Sequence, residues 1–179
     1  MAPTPAEKSL RRVLLISAID GWSIAIFAGI CTLGSLLFGE WIGVSIGAVI
    51  TAAGIIELRG RTRLLNGDPT GLSWLVRAQV LILAIVWLYS FRNLLAYDEA
   101  AMMASITPEM RDLMSQAGVA MSDLQALMKP VYYGLYLIVM GVTLLFQGGL
   151  ALYYFSRRDK VTQALSARNV VVPPTLPSV

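Results

Sequence analysis

Histidine is absent from this sequence of 179 residues, and cysteine occurs once, at Cys31. Without histidine the chain cannot form a His-ligated haem or a His-based zinc site. A single thiol cannot form an internal disulfide, which excludes redox chemistry that depends on a cysteine pair. The sequence also contains no Ser-His-Asp set and no phosphate-binding glycine loop beside a lysine. We therefore expect a protein that is not an enzyme and that carries no cofactor.

Charged residues are also scarce, at 14% of the chain, whereas hydrophobic residues make up 56%. Globular domains in water carry about 25% charged residues. The hydrophobic residues form long blocks, and a block of ~18 or more apolar residues indicates a membrane span. The first block is also longer than the ~7–15-residue core of a signal peptide, so we expect it to be retained. The predicted spans are residues 13–38, 41–58, 72–97 and 131–155.

The backbone of each span has to satisfy its own hydrogen bonds in lipid, which predicts four α-helices. The fold class is therefore all-α, a polytopic membrane protein with a four-transmembrane-helix bundle. We predict a single domain over residues 1–160 and a C-terminal tail over 161–179, extended after Arg168 where prolines accumulate. Two tyrosine pairs, Tyr132–Tyr133 and Tyr153–Tyr154, bracket the fourth span, as is typical of residues at the two membrane–water interfaces.

Basic residues are distributed unequally between the segments that connect the spans. Ten of them fall in the N-terminal tail, the second connection and the C-terminal tail, whereas only three fall on the opposite side of the predicted bundle. Because cytoplasmic segments are enriched in Lys and Arg, both termini are predicted to be cytoplasmic. The ten are Lys8, Arg11, Arg12, Arg59, Arg61, Arg63, Arg157, Arg158, Lys160 and Arg168, and the three are Arg92, Arg111 and Lys129.

The segment between the third and fourth spans, residues 98–129, is predicted to lie outside the cell and to be helical. Thr107 is a plausible N-cap for a helix that starts at Pro108, and Gly118 divides the segment into two shorter helices. Apolar residues then recur at helical spacing, which predicts an amphipathic helix or hairpin. This external apolar stripe consists of Met110, Met114, Met121, Leu124 and Met128.

Polar residues inside the spans are the candidates for a functional site. Asp20 lies in the first span, and an ionised carboxylate there costs at least ~2.5–3.5 kcal/mol unless it is compensated. Arg77 lies at a similar depth in the third span, which predicts an Asp20–Arg77 ion pair. Gln79 also lies at that depth, but it points about 200° away from Arg77 and is the weakest member of the set. The predicted inner-leaflet polar layer consists of Asp20, Glu57, Arg77, Gln79 and Gln147.

This layer has two interpretations, which the sequence leaves open. It is either part of a pathway or site for an ion, a proton or a small charged ligand, or a structural ion pair that fixes the register of the helices.

Glycines repeat at regular spacing in the second and fourth spans. Spacings of four and seven residues place small residues on one face of a helix and permit close packing against another helix. We expect this packing to occur within one bundle, and the alternative is contact between subunits, which a pore would need. The residues are Gly39, Gly43, Gly47, Gly134, Gly141 and Gly148.

The methionines permit a copper(I) interpretation, because thioethers bind soft ions. Methionine is also a flexible apolar filler, and the spacing is that of any amphipathic helix. We therefore predict no metal site.

The sequence favours a non-catalytic integral membrane protein. The first hypothesis is a small oligomeric channel or transporter that uses the polar layer, with self-association through the glycine faces. The alternative is an accessory or scaffold subunit that docks onto a larger membrane protein through residues 98–129. Neither hypothesis involves nucleic acid.

Overall fold

The computed structural model describes residues 3–118 and 120–171, and the regular structure of this part is entirely helical. Three helices and one longer composite helix are long and apolar enough to cross a membrane. The helices are α1 (Pro5–Leu37), α2 (Trp41–Leu65), α3 (Gly71–Leu95), α4 (Glu99–Ala104), α5 (Pro108–Gln116), α6 (Met121–Thr143), a π-helical turn (Leu144–Gly148), α7 (Gly149–Ser156) and α8 (Arg158–Val171).

The described residues form two compact units, Met1–Ile85 with Leu144–Val179 and Val86–Thr143. The first unit contains α1, α2, most of α3, the π turn, α7 and α8. The second contains the end of α3, with α4, α5 and α6. The helix α8 belongs to the first unit, and the single domain predicted over residues 1–160 stays a prediction.

Each of the first two long helices extends beyond its predicted apolar block. Thr4 caps α1 in a capping box with Glu7, which starts the helix eight residues before Val13. The helix α2 continues past Leu58 to Leu65, so Glu57 lies inside the helix rather than at its end. Hydropathy finds the apolar part of a helix, and the polar turns that continue it are fixed by capping and packing.

Close packing of α1 against α2 depends on glycine. A Cβ atom on Gly54 would lie 2.9 Å from the backbone nitrogen of Ala25 and 3.0 Å from the carbonyl oxygen of Gly21. Further along α2, Gly47 meets Thr32 and Gly43 meets Ser35. Gly43 and Gly47 therefore lie against side chains of α1 in the same chain.

The other predicted glycines have different roles. Gly39 has φ +70° and forms the turn before α2, where no neighbour approaches it. Gly134 and Gly141 have no neighbouring atom within 4 Å of a Cβ position, and Gly148 has only the side chain of Leu144 at 3.5 Å.

The helix α8 packs on α1 and completes an apolar core. Its buried residues Val161, Ala164 and Leu165 lie against Leu10 and Val13 of α1. The tail predicted from residue 161 onward is therefore helical up to Val171, because an apolar face with helical spacing finds a partner on α1. Residues 172–179 lie outside the described residues.

The loop before α3 is held by Asp68. Its carboxylate accepts hydrogen bonds from the Thr70 hydroxyl at 2.7 Å and the Thr70 backbone nitrogen at 2.9 Å, and it pairs with Arg63 at 3.5 Å. The hydrogen bonds from the Thr70 hydroxyl and backbone favour the ionised carboxylate and hold the pKa of Asp68 below its ordinary value.

In the second unit, aromatic side chains join α3 to α6. The indole nitrogen of Trp87 donates to the carbonyl oxygen of Met140 at 3.2 Å. The hydroxyl of Tyr132 donates to the carbonyl oxygen of Asn93 at 3.0 Å, and that of Tyr133 donates to Leu94 at 3.2 Å. Each of these donors is satisfied by a backbone carbonyl, which lets a ring with one polar atom sit among apolar residues, and the carbonyls of Asn93 and Leu94 lie in the last turn of α3.

Residues 98–118 form two short helices, α4 and α5, whereas the predicted second short helix after Gly118 is the start of the long helix α6. Asp98 caps α4, and Thr107 caps α5 by accepting a hydrogen bond from the backbone nitrogen of Met110. The helix α5 ends before Gly118, whose φ of +74° favours glycine. The predicted N-cap at Thr107 and the predicted division at Gly118 are confirmed.

We predict that Gly54→Ala lowers the free energy of unfolding by about 1–3 kcal/mol, because the added methyl group has to displace the backbone of α1. Thermal unfolding of the purified chain in detergent micelles measures this change. The matched control is Gly29→Ala in α1, which adds the same methyl group where no atom lies within 4 Å and should be neutral or stabilising by up to about 1 kcal/mol. Equal losses in the two variants would contradict glycine-dependent packing at Gly54.

Candidate functional site

Four polar side chains meet inside the first unit, and we call them the inner polar cluster. They are Asp20 of α1, Glu57 of α2, Gln79 of α3 and Tyr154 of α7. Glu57, Gln79 and Tyr154 are fully buried, and Asp20 is half-buried. Burial of this many polar groups is unusual and has to be compensated by hydrogen bonds or by charge.

The first contact in the cluster joins α3 to α1. The side-chain amide nitrogen of Gln79 donates a hydrogen bond to the carboxylate of Asp20 at 2.8 Å. The carbonyl oxygen of the same amide is buried and has no partner among the described residues. Gln79 therefore stabilises Asp20 with its donor and leaves its acceptor facing the protein interior.

The second contact joins α7 to α2. The hydroxyl of Tyr154 donates to Oε1 of Glu57 at 2.9 Å, and both side chains are fully buried. The other carboxylate oxygen of Glu57, Oε2, is buried and has no partner in the described part of the chain. Asp20 and Gln79 are also neighbours of Glu57.

Glycine packing brings the carboxyl groups together. Asp20 precedes Gly21, and Glu57 lies one helical turn after Gly54, with which Gly21 is in close contact. The close approach of the two backbones at this point puts both acids on the contact between α1 and α2. On α3, Gln79 shares its buried face with Leu72, Leu75 and Ile82, which orients its amide toward that contact.

The cluster contains two carboxyl groups and no basic side chain. Among the described residues, the one ion pair is that of Arg63 with Asp68, outside the cluster. Neighbouring carboxylates in a medium of low dielectric constant repel each other strongly. An arrangement of this kind favours the binding of a positive charge, because the added charge offsets the repulsion. The oxygen atoms that face it are those that bind protons and hard cations.

The predicted ion pair between Asp20 and Arg77 is wrong. Gln79 occupies the position beside Asp20, and Arg77 is exposed on another side of α3. Residues two apart on a helix point about 200° from each other, so only one of them can face α1. The polar but neutral side chain is the one that is buried, because a buried guanidinium cannot lose its charge.

Gln147 does not share a hydrogen bond with the cluster. It lies in the π-helical turn, and its side-chain oxygen is buried without a partner in the described part of the chain. Of the five predicted residues, the structure therefore brings together Asp20, Glu57 and Gln79.

Tyr154 is the member of the cluster that the sequence analysis missed. Its position beside Tyr153 at the end of an apolar run suggested an interfacial tyrosine, whereas its ring is fully buried. The sequence feature that could have indicated Tyr154 is the unpaired acid Glu57, since a buried carboxylate requires a hydrogen-bond donor from another helix.

The external apolar stripe is only partly covered. Met110 is exposed, whereas Met114, Met121, Leu124 and Met128 are half-buried. No group of three or more Cys, His, Asp or Glu side chains in the described residues is placed to hold a metal ion.

We predict that Tyr154→Phe destabilises the chain by about 1–3 kcal/mol, because the buried Glu57 loses its only hydrogen-bond donor from α7. Thermal unfolding in micelles is the measurement. Tyr153→Phe is the matched control, since it removes the neighbouring hydroxyl and keeps the ring that stacks on Arg157. The role assigned to Tyr154 fails if both variants unfold at the wild-type temperature.

We also predict that Gln79→Leu destabilises the chain by about 1–3 kcal/mol, because Asp20 loses its donor. Arg77→Leu should change the free energy of unfolding by no more than about 0.5 kcal/mol, as is usual for exposed positions. The comparison of the two by chemical unfolding distinguishes the observed contact from an Asp20–Arg77 ion pair, which predicts the opposite order.

Comparison of the chain with protein-family models, with curated proteins and with solved structures finds no match. Its function therefore has to be inferred from the chemistry of the inner polar cluster and from the surfaces that surround it.

Proposed function

We propose that the chain is a polytopic membrane protein with four transmembrane helices. The two shortest of the four long helices, α2 and α3, have 25 residues each. At 1.5 Å per residue each extends ~37 Å, which exceeds the ~30 Å thickness of the hydrocarbon layer. The surface of α1 supports this placement, because large apolar side chains are exposed along it at helical spacing. They are Leu15, Ile19, Trp22, Ile26, Ile30, Leu33 and Leu37.

We place both termini in the cytoplasm and residues 98–129 on the extracytoplasmic side. The support is the concentration of basic residues at the start of α1, at the end of α2 and in and just before α8. A cytoplasmic location for these segments follows the usual distribution of Lys and Arg in short loops.

We infer that the function is the binding and transfer of a small cation, H⁺ or Na⁺, at the inner polar cluster. The observation that carries this proposal is the pair of acids, Asp20 and Glu57, that share a buried site without a basic side chain. Acids inside a transmembrane segment commonly mark ion pathways and proton relays.

Two unpartnered oxygen atoms identify where the cation would be held. Oε2 of Glu57 and the side-chain oxygen of Gln79 are both buried acceptors without a donor among the described residues. The hydroxyl of Tyr154 fixes the other oxygen of Glu57, and the amide nitrogen of Gln79 fixes Asp20. These side chains therefore orient the free acceptors, and the cation supplies the missing positive charge.

The same residues do not suit covalent catalysis, which agrees with a non-enzymatic role. The cluster contains carboxyl, amide and phenol groups, and its phenol donates its hydrogen bond to Glu57 rather than being activated by a base. Cys31 is exposed on α1 and lies outside the cluster.

A continuous pore would require several copies of the chain, since the interior of a four-helix bundle is filled by side chains. The glycines Gly134 and Gly141 on α6 support self-association, because no atom of the described chain packs where their Cβ would be. In this form of the proposal, copies meet through α6. A carrier would instead work as a single copy, and the mass of the purified protein distinguishes the two.

A second candidate function is that of an accessory subunit. Its support is α5, which has no buried residue and exposes the side chains of Met110 and Leu113 at 47% and 66%. An apolar helix face of this kind is suited to docking against another membrane protein.

The test of cation transfer is flux into liposomes that contain the purified chain. We expect a pH gradient in sodium-free buffer to be dissipated if H⁺ is the ion, and a sodium gradient at constant pH to be dissipated if it is Na⁺. Glu57→Gln keeps the shape of the side chain and removes its charge, so it should reduce the flux to that of protein-free liposomes.

The matched control is Glu40→Gln, the same substitution at the exposed N-cap of α2, where the side chain makes no capping hydrogen bond. It should retain the wild-type flux. The proposal is overturned if the wild-type chain gives no flux above protein-free liposomes, or if Glu57→Gln transports normally. Absence of flux together with co-purification of a larger membrane protein would favour the accessory subunit.

A further inference from the structure

A pocket of about 270 Å³ lies on the first unit, on a different side of α3 from the inner polar cluster. It is formed by the start of α3, the end of α7 and the start of α8. Its lining residues are Leu72, Ser73, Val76, Arg77, Phe155 and Arg158.

Arginine dominates the polar part of this pocket. Arg77 and Arg158 come from different helices and are both exposed, and neither forms an ion pair within the described residues. The side chains that line the described pocket include no carboxylate. Guanidinium groups bind phosphate through paired hydrogen bonds, and the hydroxyl of Ser73 adds a donor at the same position.

The other walls of the pocket are apolar. Leu72 is buried at its base, Val76 is half-buried, and Phe155 exposes 65% of its side chain. A pocket for a free phosphate ion would not need an exposed phenyl ring beside the cations. A phospholipid presents both a phosphate and, linked to it through glycerol, apolar acyl chains.

We propose that this pocket binds the phosphate group of an anionic phospholipid, with Arg77, Arg158 and Ser73 as its ligands. The first acyl carbons lie along Val76 and Phe155. The proposal rests on the placement of the chain in a membrane and does not require cation transfer at the inner polar cluster. It also gives Arg77 a role, since this residue lies near the cytoplasmic end of α3 in the proposed topology and forms no ion pair with Asp20.

The experiment uses the full chain in detergent micelles and measures the binding of phosphatidylglycerol and of phosphatidylcholine with the same acyl chains by native mass spectrometry. We expect phosphatidylglycerol to bind more tightly. Arg77→Gln and Arg158→Gln should each weaken its binding about fivefold, and the double variant about 25-fold, since each basic residue near a membrane contributes about 1 kcal/mol.

The control variant is Arg59→Gln, which removes an exposed arginine of α2 that does not line the pocket. Its affinity for phosphatidylglycerol should equal that of the wild type. The proposal is overturned if Arg59→Gln weakens binding as much as Arg77→Gln, or if the two lipids bind equally well. A titration with inorganic phosphate distinguishes the ligands, because displacement of the lipid by an equal concentration of phosphate would show that the acyl chains are not recognised.

Because the lipid assay contains no ion gradient, its result is separate from that of the flux assay. Loss of flux in Glu57→Gln with unchanged lipid binding would leave both proposals standing. Wild-type lipid binding without flux would overturn only cation transfer.

Discussion

The burial of two acids without a basic partner is the constraint on which the first unit depends. Glu57 is fully buried, so water cannot solvate its carboxylate. Its hydrogen bonds, and the positive charge that compensates it, have to come from the protein or from a bound cation. Tyr154 supplies one donor from α7, and Gln79 supplies another to Asp20 from α3. The cluster thus ties four helices to one point. Any rearrangement of α1, α2, α3 or α7 would leave a polar group unpaired, at a cost of about 1–3 kcal/mol.

Glycine makes this arrangement possible, because side chains at Gly21 and Gly54 would hold α1 and α2 apart. The close approach of the backbones places the neighbouring acids within reach of each other and of the two donors. Toward the start of α1 and the end of α2, α8 covers Leu10, Val13 and Leu64 and completes an apolar core of the first unit. The polar cluster is therefore framed by tight packing on one side and by an apolar core on the other.

The four long apolar helices could be predicted from the sequence, because hydropathy depends on composition alone. The caps at Thr107 and the break at Gly118 were also predictable, since they are local. The contacts between side chains of different helices could not be predicted. The sequence places Arg77 and Gln79 at the same depth, and only the rotation of α3 decides which of them faces Asp20. The importance of Tyr154 was hidden for the same reason, and Gln147 lies in a π turn, which changes the angular spacing assumed for a regular helix.

The helix α3 presents an amide and a guanidinium group on opposite sides, at two positions only two residues apart. Gln79 faces the acids, and Arg77, two residues earlier, faces the pocket with Arg158. A rigid helix cannot turn one of these side chains without turning the other. In the proposed function, a negatively charged headgroup that prefers one rotational setting of α3 would alter the affinity of the acids for their cation, and the cation would alter the affinity for the headgroup by the same factor. The lipid composition of the inner leaflet would then set how readily the inner polar cluster binds its cation.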